Sequence, residues 1–562
     1  MLSSSTQALP ADLFGLSDVA RSAIAAGPTF GPIPLPRRMD EIPQPEERLG
    51  SEEREVLADS IALGLRGAGL ELAPEATTSL DALRREGTFC VVTGQQPGFL
   101  ASPLYSLYKA LQACRAAAEL SEQWGTPVVP VFWNHADDHD VAEVHHAWQL
   151  NRNLDLQKVA LAGLSSGRVP LGEIAVTEES QRLGALRAQL HNIVEEHAGA
   201  PEALDLFMPR DGETLPRALS RIFGELCGRF GLIVVEPTWI RAQLSSEMGR
   251  IVSGPMGGPS LVAALRAGEG ELSSLGLQAA IPIGSTDDDA GAAAAIAYQH
   301  VPAGPGQTER VAFRAGGEGL RMDGEPGSRT HAELGAQIVG DPQQWSAGAL
   351  LRPIVQDAVF PTCAYVGGYG ELGYHAQLGP ARDAAGQPRT PFLARVSLTL
   401  VDDDTRYALE RVEASVEEVL RAKGEFTPAD DDSAEPEVVE ALRAIGADAA
   451  RRLQEHKSAL AELEPALAVT IKKTAGHVEQ SIGKVIDKAL RVHQNRSGKG
   501  ARQVRRVNST LVPRGVPQER VLGPFQFIAR YGTAILDELR REIPSVSFEH
   551  IVLHLAAEEP ND

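Results

Sequence analysis

Cysteine is scarce: Cys90, Cys114, Cys227 and Cys363 are the only four in 562 residues, and no two form a CxxC pair. That excludes a disulfide framework and a cysteine-based zinc site. Long apolar runs are missing too. No stretch reaches the roughly 18 apolar residues that a membrane-spanning helix needs, and the alanine cluster at 290–297 is too short. Met1–Ala20 has no basic region followed by an apolar run, so no secretory signal is expected. Positive charge is in deficit. With 53 Lys and Arg against 75 Asp and Glu, the net charge of −22 disfavours nucleic acid and anionic membranes, whose phosphates the chain repels at long range. A Walker A loop and a GxSxG elbow are both absent. The expectation is a reduced, cytoplasmic protein.

What is present is an ordinary globular composition, 43% hydrophobic and 23% charged. The first 50 residues, rich in Pro, Ser and Gly, read as an extended lead-in. A helical pattern covers 52–67. Thr88–Thr93 is an apolar, β-branched strand run closed by Gly94; a helix over 104–123 follows, with Leu107, Leu111, Cys114 and Ala118 on one face. Pro127–Trp133 is a second strand run. Strand, helix, strand at this spacing is a βαβ unit, and hence a parallel sheet. Gly231–Glu236 and Pro361–Gly367 suit the same sheet, and residues 255–345, Gly- and Ala-rich, read as an inserted lobe.

From Asp403 the composition turns to Glu, Arg, Ala and Leu. An acidic gap at 427–436 separates two helical patterns. In the second, Ile471, Val478, Val485 and Val492 recur every seven residues, interleaved with Ala475, Ile482 and Ala489, an a/d seam for a coiled-coil arm over 401–500. The competing reading is an amphipathic helix packed on its own domain. Residues 501–562 are expected to pack back on a core spanning 51–400. Lys484–Arg520, with ten Lys and Arg against two acids, is a local exception to the acidic balance.

Four segments carry unusual chemistry. Thr93–Gly98, TGQQPG, stands at the carboxyl end of a strand run, where open α/β sheets bind ligands. Trp133–Asp140 gathers His135, Asp137, Asp138, His139 and Asp140 just after the next strand; helix capping explains one or two of the aspartates but not the histidines. Leu351–Asp357, LRPIVQD, offers Arg352 to a carboxylate or phosphate, or to a structural pair with Asp357. Val366–Gln377 holds Gly368, Gly370 and Gly373 in GxGxxG spacing, but no acid lies about 20 residues beyond, so a glycine turn for an anion fits better than a nicotinamide site. Glu371 at its lip suits an amine. Cys90 and Cys363, inside apolar strands, read as core residues.

In this order the segments resemble the bacillithiol biosynthesis cysteine-adding enzymes, the BshC family. The likeness rests on Thr93–Gln96 with Pro103–Tyr105, Phe132–Trp133 with Asp137–Asp140, Leu351–Asp357 and Val366–Leu378, together with Gln518–Arg520 and Arg530–Gly532, and it runs over about 85–545. Two positions depart from the family pattern. Tyr369 stands where a proline is usual, and His135 where a small residue is usual, which weakens a His135–His139 metal pair. The resemblance implies an α/β fold, a Rossmann-like parallel-sheet core with inserted segments and a C-terminal α-helical coiled-coil arm used for dimerisation. It implies amide formation between cysteine and the amine of glucosaminyl malate, with ATP as the expected activator of the carboxylate, although the HIGH and KMSKS signatures of adenylating synthetases are absent. Cysteine, glucosaminyl malate and a second copy of the chain are the expected partners; no residue is assigned as a metal ligand. Asp138 and His139 are the expected proton acceptors, with Asp140 orienting His139. Gln95, Gln96, Arg352, Gln356, Asp357, Gly367, Gly368, Gly370, Glu371 and Gln377 are the expected substrate contacts. Two rival readings are a metal-dependent hydrolase using His135, Asp138 and His139, and a coiled-coil scaffold.

Overall fold

A computed structural model describes residues 2–10, 13, 15–164, 167–177, 182–255, 258–284, 294–316, 319–325, 327–428, 437–496 and 499–557. They form two compact units, one of residues 1–401 and 516–562 and the other of residues 402–515. The alanines at 290–293 and most of the acidic gap, 429–436, lie outside the described residues.

The first unit is built on five parallel strands: β1 (Phe89–Gln95), β2 (Val128–Asn134), β3 (Ile233–Val235), β4 (Thr362–Gly367) and β5 (Phe392–Ala394). Their order is β5-β4-β1-β2-β3, and all four pairings are parallel. Buried on both faces, these strands consist of continuous apolar runs, not alternating ones, as a parallel sheet requires. The order reverses between β1 and β4. In a doubly wound sheet that reversal opens a crevice at the carboxyl ends of the two strands. Helix α1 (Tyr105–Trp124) follows β1 and is ended by Gly125 in the left-handed conformation. It is buried well beyond one stripe, with Ala110, Ala113, Ala116 and Ala117 joining Leu107, Leu111 and Cys114, whereas Ala118 faces solvent. Small side chains let this helix lie close on the sheet. All four cysteines are free and buried.

The lead-in is not extended throughout. Leu2–Leu9 is a strand paired antiparallel with His550–Ala557, which pairs in parallel with Ser397–Val401, and Asp18–Ala26 is a helix capped by Ser17. The strand run at 2–9 is short and polar, so its partner, not its own sequence, specifies it. The region expected as an inserted lobe folds as a four-stranded antiparallel sheet (Ala295–Gly304, Gln307–Gly316, Gly319–Met322 and Trp345–Ala347) with helices Leu261–Ser274 and His331–Gly340.

The second unit is helical, and its two longer helices, Glu437–Glu455 and Pro465–Arg496, pack on each other. It extends to Gly515, beyond the expected 500, because Lys499–Leu511 packs on Asp403–Arg411 and Val416–Arg421. The heptad reading holds at Ala475, which is buried, but fails at Val485, which is 54% exposed while neighbouring Ile486 is 8% exposed. A straight helix drifts about 20° per heptad against a strict seven-residue repeat, and that drift passes the inward position to Ile486.

Candidate functional site

The crevice between β1 and β4 is a cleft of about 490 Å³. Gln95 and Gln96 leave the end of β1, His135, Asp137 and Asp138 follow β2, and Gly368, Gly370 and Glu371 follow β4. Gly98 is fixed by close approach: a Cβ there would sit 1.8 Å from the Ser102 carbonyl oxygen. The turn after the two glutamines therefore requires glycine.

The floor is ionic. Lys109, buried on α1, donates to the Gly94 carbonyl at 2.9 Å, to Gln95 Oε1 at 3.0 Å and to the Glu371 carboxylate. Burial pushes the Glu371 carboxyl upward, but the Lys109 ammonium and the Gly368 N–H more than reverse this and hold it below the usual range. The Gly368 N–H donates to Glu371 Oε2 at 2.8 Å, so the glycine turn spends that donor on its own helix, α3 (Tyr369–His375). Gly367 lies inside β4, where a Cβ would meet the Phe392 ring at 2.5 Å. It serves packing and does not line the cleft.

After β2 the acidic run divides. Asp137 forms an ion pair with Arg241, whose Nη1 also donates to the Trp345 carbonyl at 2.9 Å. Asp138 lines the cleft, accepting from Gln96 Nε2 and from the His139 N–H at 2.7 Å, with Arg310 Nη1 3.8 Å away. His139 lies beside it, and Arg310 Nη1 donates to His139 Nδ1 at 3.2 Å. Among the described residues no hydrogen bond joins the Asp140 carboxylate to His139. That carboxylate caps helix Val141–Val144, accepting from the Glu143 N–H at 3.2 Å, the capping role that aspartate favours. His135 lines the cleft. Burial, then Arg352, Lys109 and Arg310, drive its imidazole well below the usual range, so the ring is neutral.

Arg352 opens helix α2 (Arg352–Val359) instead of lying beside a strand. It is 8% exposed, and its two Nη atoms donate to Gln356 Oε1 at 2.8 Å and Tyr374 Oη at 3.0 Å. Both partners are neutral, and among the described residues no carboxylate forms an ion pair with it. Gln356 thus braces Arg352 and does not line the cleft. Asp357 points elsewhere, pairing with Arg382 at 2.7 Å and accepting from Thr390 Oγ1 at 2.8 Å. Gln377 is fully buried and holds the backbone of Ile281 through both ends of its amide. Five residues along α2, about 1.4 turns, thus separate Arg352 at the cleft from Asp357 in the core, a separation that the LRPIVQD string does not reveal.

The sequence reading missed Lys109, Arg241, Tyr298, Arg310, Arg395 and Arg520, all of which line the cleft. A lysine amid the apolar face of α1 was a readable signal. Tyr298 and Arg310 come from the lobe and gave none. Arg395 is buried against Glu519 at 2.7 Å. In total six cations (Lys109, Arg241, Arg310, Arg352, Arg395 and Arg520) face three acids (Asp137, Asp138 and Glu371), so the cleft opposes the sign of the whole chain. Such a cleft concentrates anions.

Among the described residues no group of three His, Cys, Asp or Glu side chains is arranged for a metal ion. His135, Asp138 and His139, the trio of the hydrolase reading, form no such group, and a guanidinium already occupies His139 Nδ1. Among the described residues, no helix is long and apolar enough to cross a membrane.

Residues 37–396 match the family described as bacillithiol biosynthesis BshC, N-terminal Rossmann-like domain, and residues 398–555 the corresponding C-terminal coiled-coil domain. Curated relatives share this span. A protein of Koribacter versatilis is 27% identical over 85% of this chain and 86% of its own length. One of Solibacter usitatus is 27% identical (86% and 87%), and one of Salinibacter ruber 26% identical (89% of each). All three bear the name "Putative cysteine ligase BshC".

Proposed function

The chain belongs to the bacillithiol biosynthesis BshC family, and on that premise we propose that it is a cysteine ligase joining the cysteine carboxyl group to the amine of glucosaminyl malate, the last step of bacillithiol synthesis. One observation carries the reading: Arg352, a buried cation with only neutral partners, sits in a cleft of net positive charge at the sheet's switch point. A buried guanidinium whose hydrogen-bond partners are both neutral, with Glu371 acting on it only at a distance, suits a bound carboxylate or phosphate. Glucosaminyl malate carries two carboxylates and cysteine one.

Amide formation from a carboxylate is uphill in water, and ATP supplies the leaving group. Arg352 holds an anionic group of the substrates. Gln95 and Gln96, tied to Lys109 and Asp138, fix the wall against which the amine approaches. As the amine nitrogen bonds to the acyl carbon, the acyl carbon–oxygen bond would break, that oxygen would leave with the phosphorus group supplied by ATP, and the amine's proton would pass to Asp138. The helical unit supports self-association, for which its exposed Val438, Ile445, Val469 and Val485 supply apolar surface.

Thiol profiling of a deletion strain tests the function. Bacillithiol should disappear while glucosaminyl malate accumulates; an unchanged bacillithiol pool would refute the proposal.

A further inference from the structure

Arg310 is a cation that the lobe delivers to the acidic loop after β2. It is 6% exposed, its guanidinium lies 3.8 Å from the Tyr298 ring centroid, and among the described residues its Nε has no hydrogen-bond partner. Its contact with Asp138 is long, 3.8 Å, while Nη1 reaches His139 Nδ1 at 3.2 Å. A guanidinium has five N–H donors and no acceptor. In this contact Nδ1 therefore accepts, and it carries no proton. The ring's single proton then sits on Nε2, and neither nitrogen has a lone pair free to take up another.

The geometry points to Arg310 as a positioning residue that locks His139 as the Nε2–H tautomer, so that His139 donates a hydrogen bond and Asp138 alone of the two receives the proton. The groups acting on the ring support the lock. Arg310 and Arg168 oppose protonation, whereas Asp138 and Asp140 favour it, and Tyr298 packs edge-on at 6.1 Å. Burial, then Arg310, sets the net direction downward. Tyr298 and Arg310 come from adjacent, paired strands of one lobe sheet, so the lobe itself presents the guanidinium to His139.

The tautomer follows from contacts alone; only the division of labour between Asp138 and His139 rests on the proposed ligase reaction. Nitrogen spectra of full-length protein carrying 15N-histidine test the tautomer without any activity assay. The His139 signals are identified by their loss in His139→Gln. Wild type should show an unprotonated Nδ1 and a protonated Nε2 at neutral pH. Arg310→Met should raise the pH at which the ring takes up a second proton and allow the Nδ1–H form to appear. A protonated Nδ1 in the wild type, or an Arg310→Met ring that titrates as in the wild type, overturns the proposal whatever the enzyme makes. Turnover then tests the roles. His139→Ala should lose ~10²-fold, and His139→Gln, whose amide N–H stands near the Nε2 position, should recover about 10-fold of it. Equal loss in both variants overturns the donor role.

Discussion

Lys109 and Glu371, 262 positions apart in the chain, meet as an ion pair under the cleft and tie the loop after β1 to the one after β4. The pair closes the switch point from below, because Lys109 also holds the Gly94 carbonyl and Gln95. Lys109→Met leaves the Glu371 carboxylate with its main partner gone. Breaking a fully buried pair costs about 3–5 kcal/mol, and with Glu371 20% exposed and still bonded to Tyr365 and the Gly368 N–H the loss should fall below that range. The urea midpoint should fall accordingly, and adding Glu371→Gln should restore part of it; a single variant as stable as the wild type would contradict the pairing.

Arg352→Ala removes the buried cation whose hydrogen-bond partners are the neutral Gln356 and Tyr374. A hydrogen-bonded charge pair is worth roughly 1.5–3 kcal/mol, or about 10- to 100-fold in affinity. Calorimetric titration should show glucosaminyl malate or cysteine binding weaker by that factor. Arg352→Lys should not restore it, because an ammonium lacks the two-pronged fork that reaches Gln356 and Tyr374 together.

Asp138→Asn keeps the shape of the side chain but removes its basicity. Single-turnover rates should drop about 10²–10⁴-fold with little change in substrate affinity. A rate within a few-fold of wild type would move the proton to another group, with His135 the next neutral acceptor lining the cleft.

Two of the buried histidines, His300 and His550, make a contribution to acid sensitivity that can be given a size. Burial first of all lowers His300 and His550 to about 4. His300 bonds Ser346 Oγ at 2.8 Å, and His550 bonds Ser397 and Thr399 at 2.9 and 3.0 Å. In the unfolded chain both return to about 6.5. Between pH 6.5 and 4 the unfolded state therefore binds more protons than the folded one, so stability falls as pH drops through that window. From pH 7 to 5 each should contribute a loss of about 2 kcal/mol, to be read from denaturant titrations at the two pH values. His300→Gln should flatten the slope by one histidine's share.

The sequence reached the sheet because β1, β2 and β4 are continuous apolar runs, a local property. It reached the cleft's rim because glutamines, histidines and aspartates directly after such runs stand at carboxyl ends. It did not separate Arg352 from Asp357, since which face of a helix a side chain takes depends on what packs there. Nor did it find Arg310 or Arg395, because the lobe and the returning C-terminal segment meet the sheet only through long-range contacts. The capping role of Asp140 was not legible, because capping and catalysis ask for the same residue type and only the backbone geometry reveals the cap.

On the proposed reaction, this positively charged switch-point cleft forms the cysteine–glucosamine amide. Purified protein given cysteine, glucosaminyl malate and ATP, with products resolved by mass spectrometry, tests it most directly. Bacillithiol should form with the wild type and fall at least about 10²-fold with Asp138→Asn. No bacillithiol from the wild type, or equal amounts from both proteins, would contradict the account.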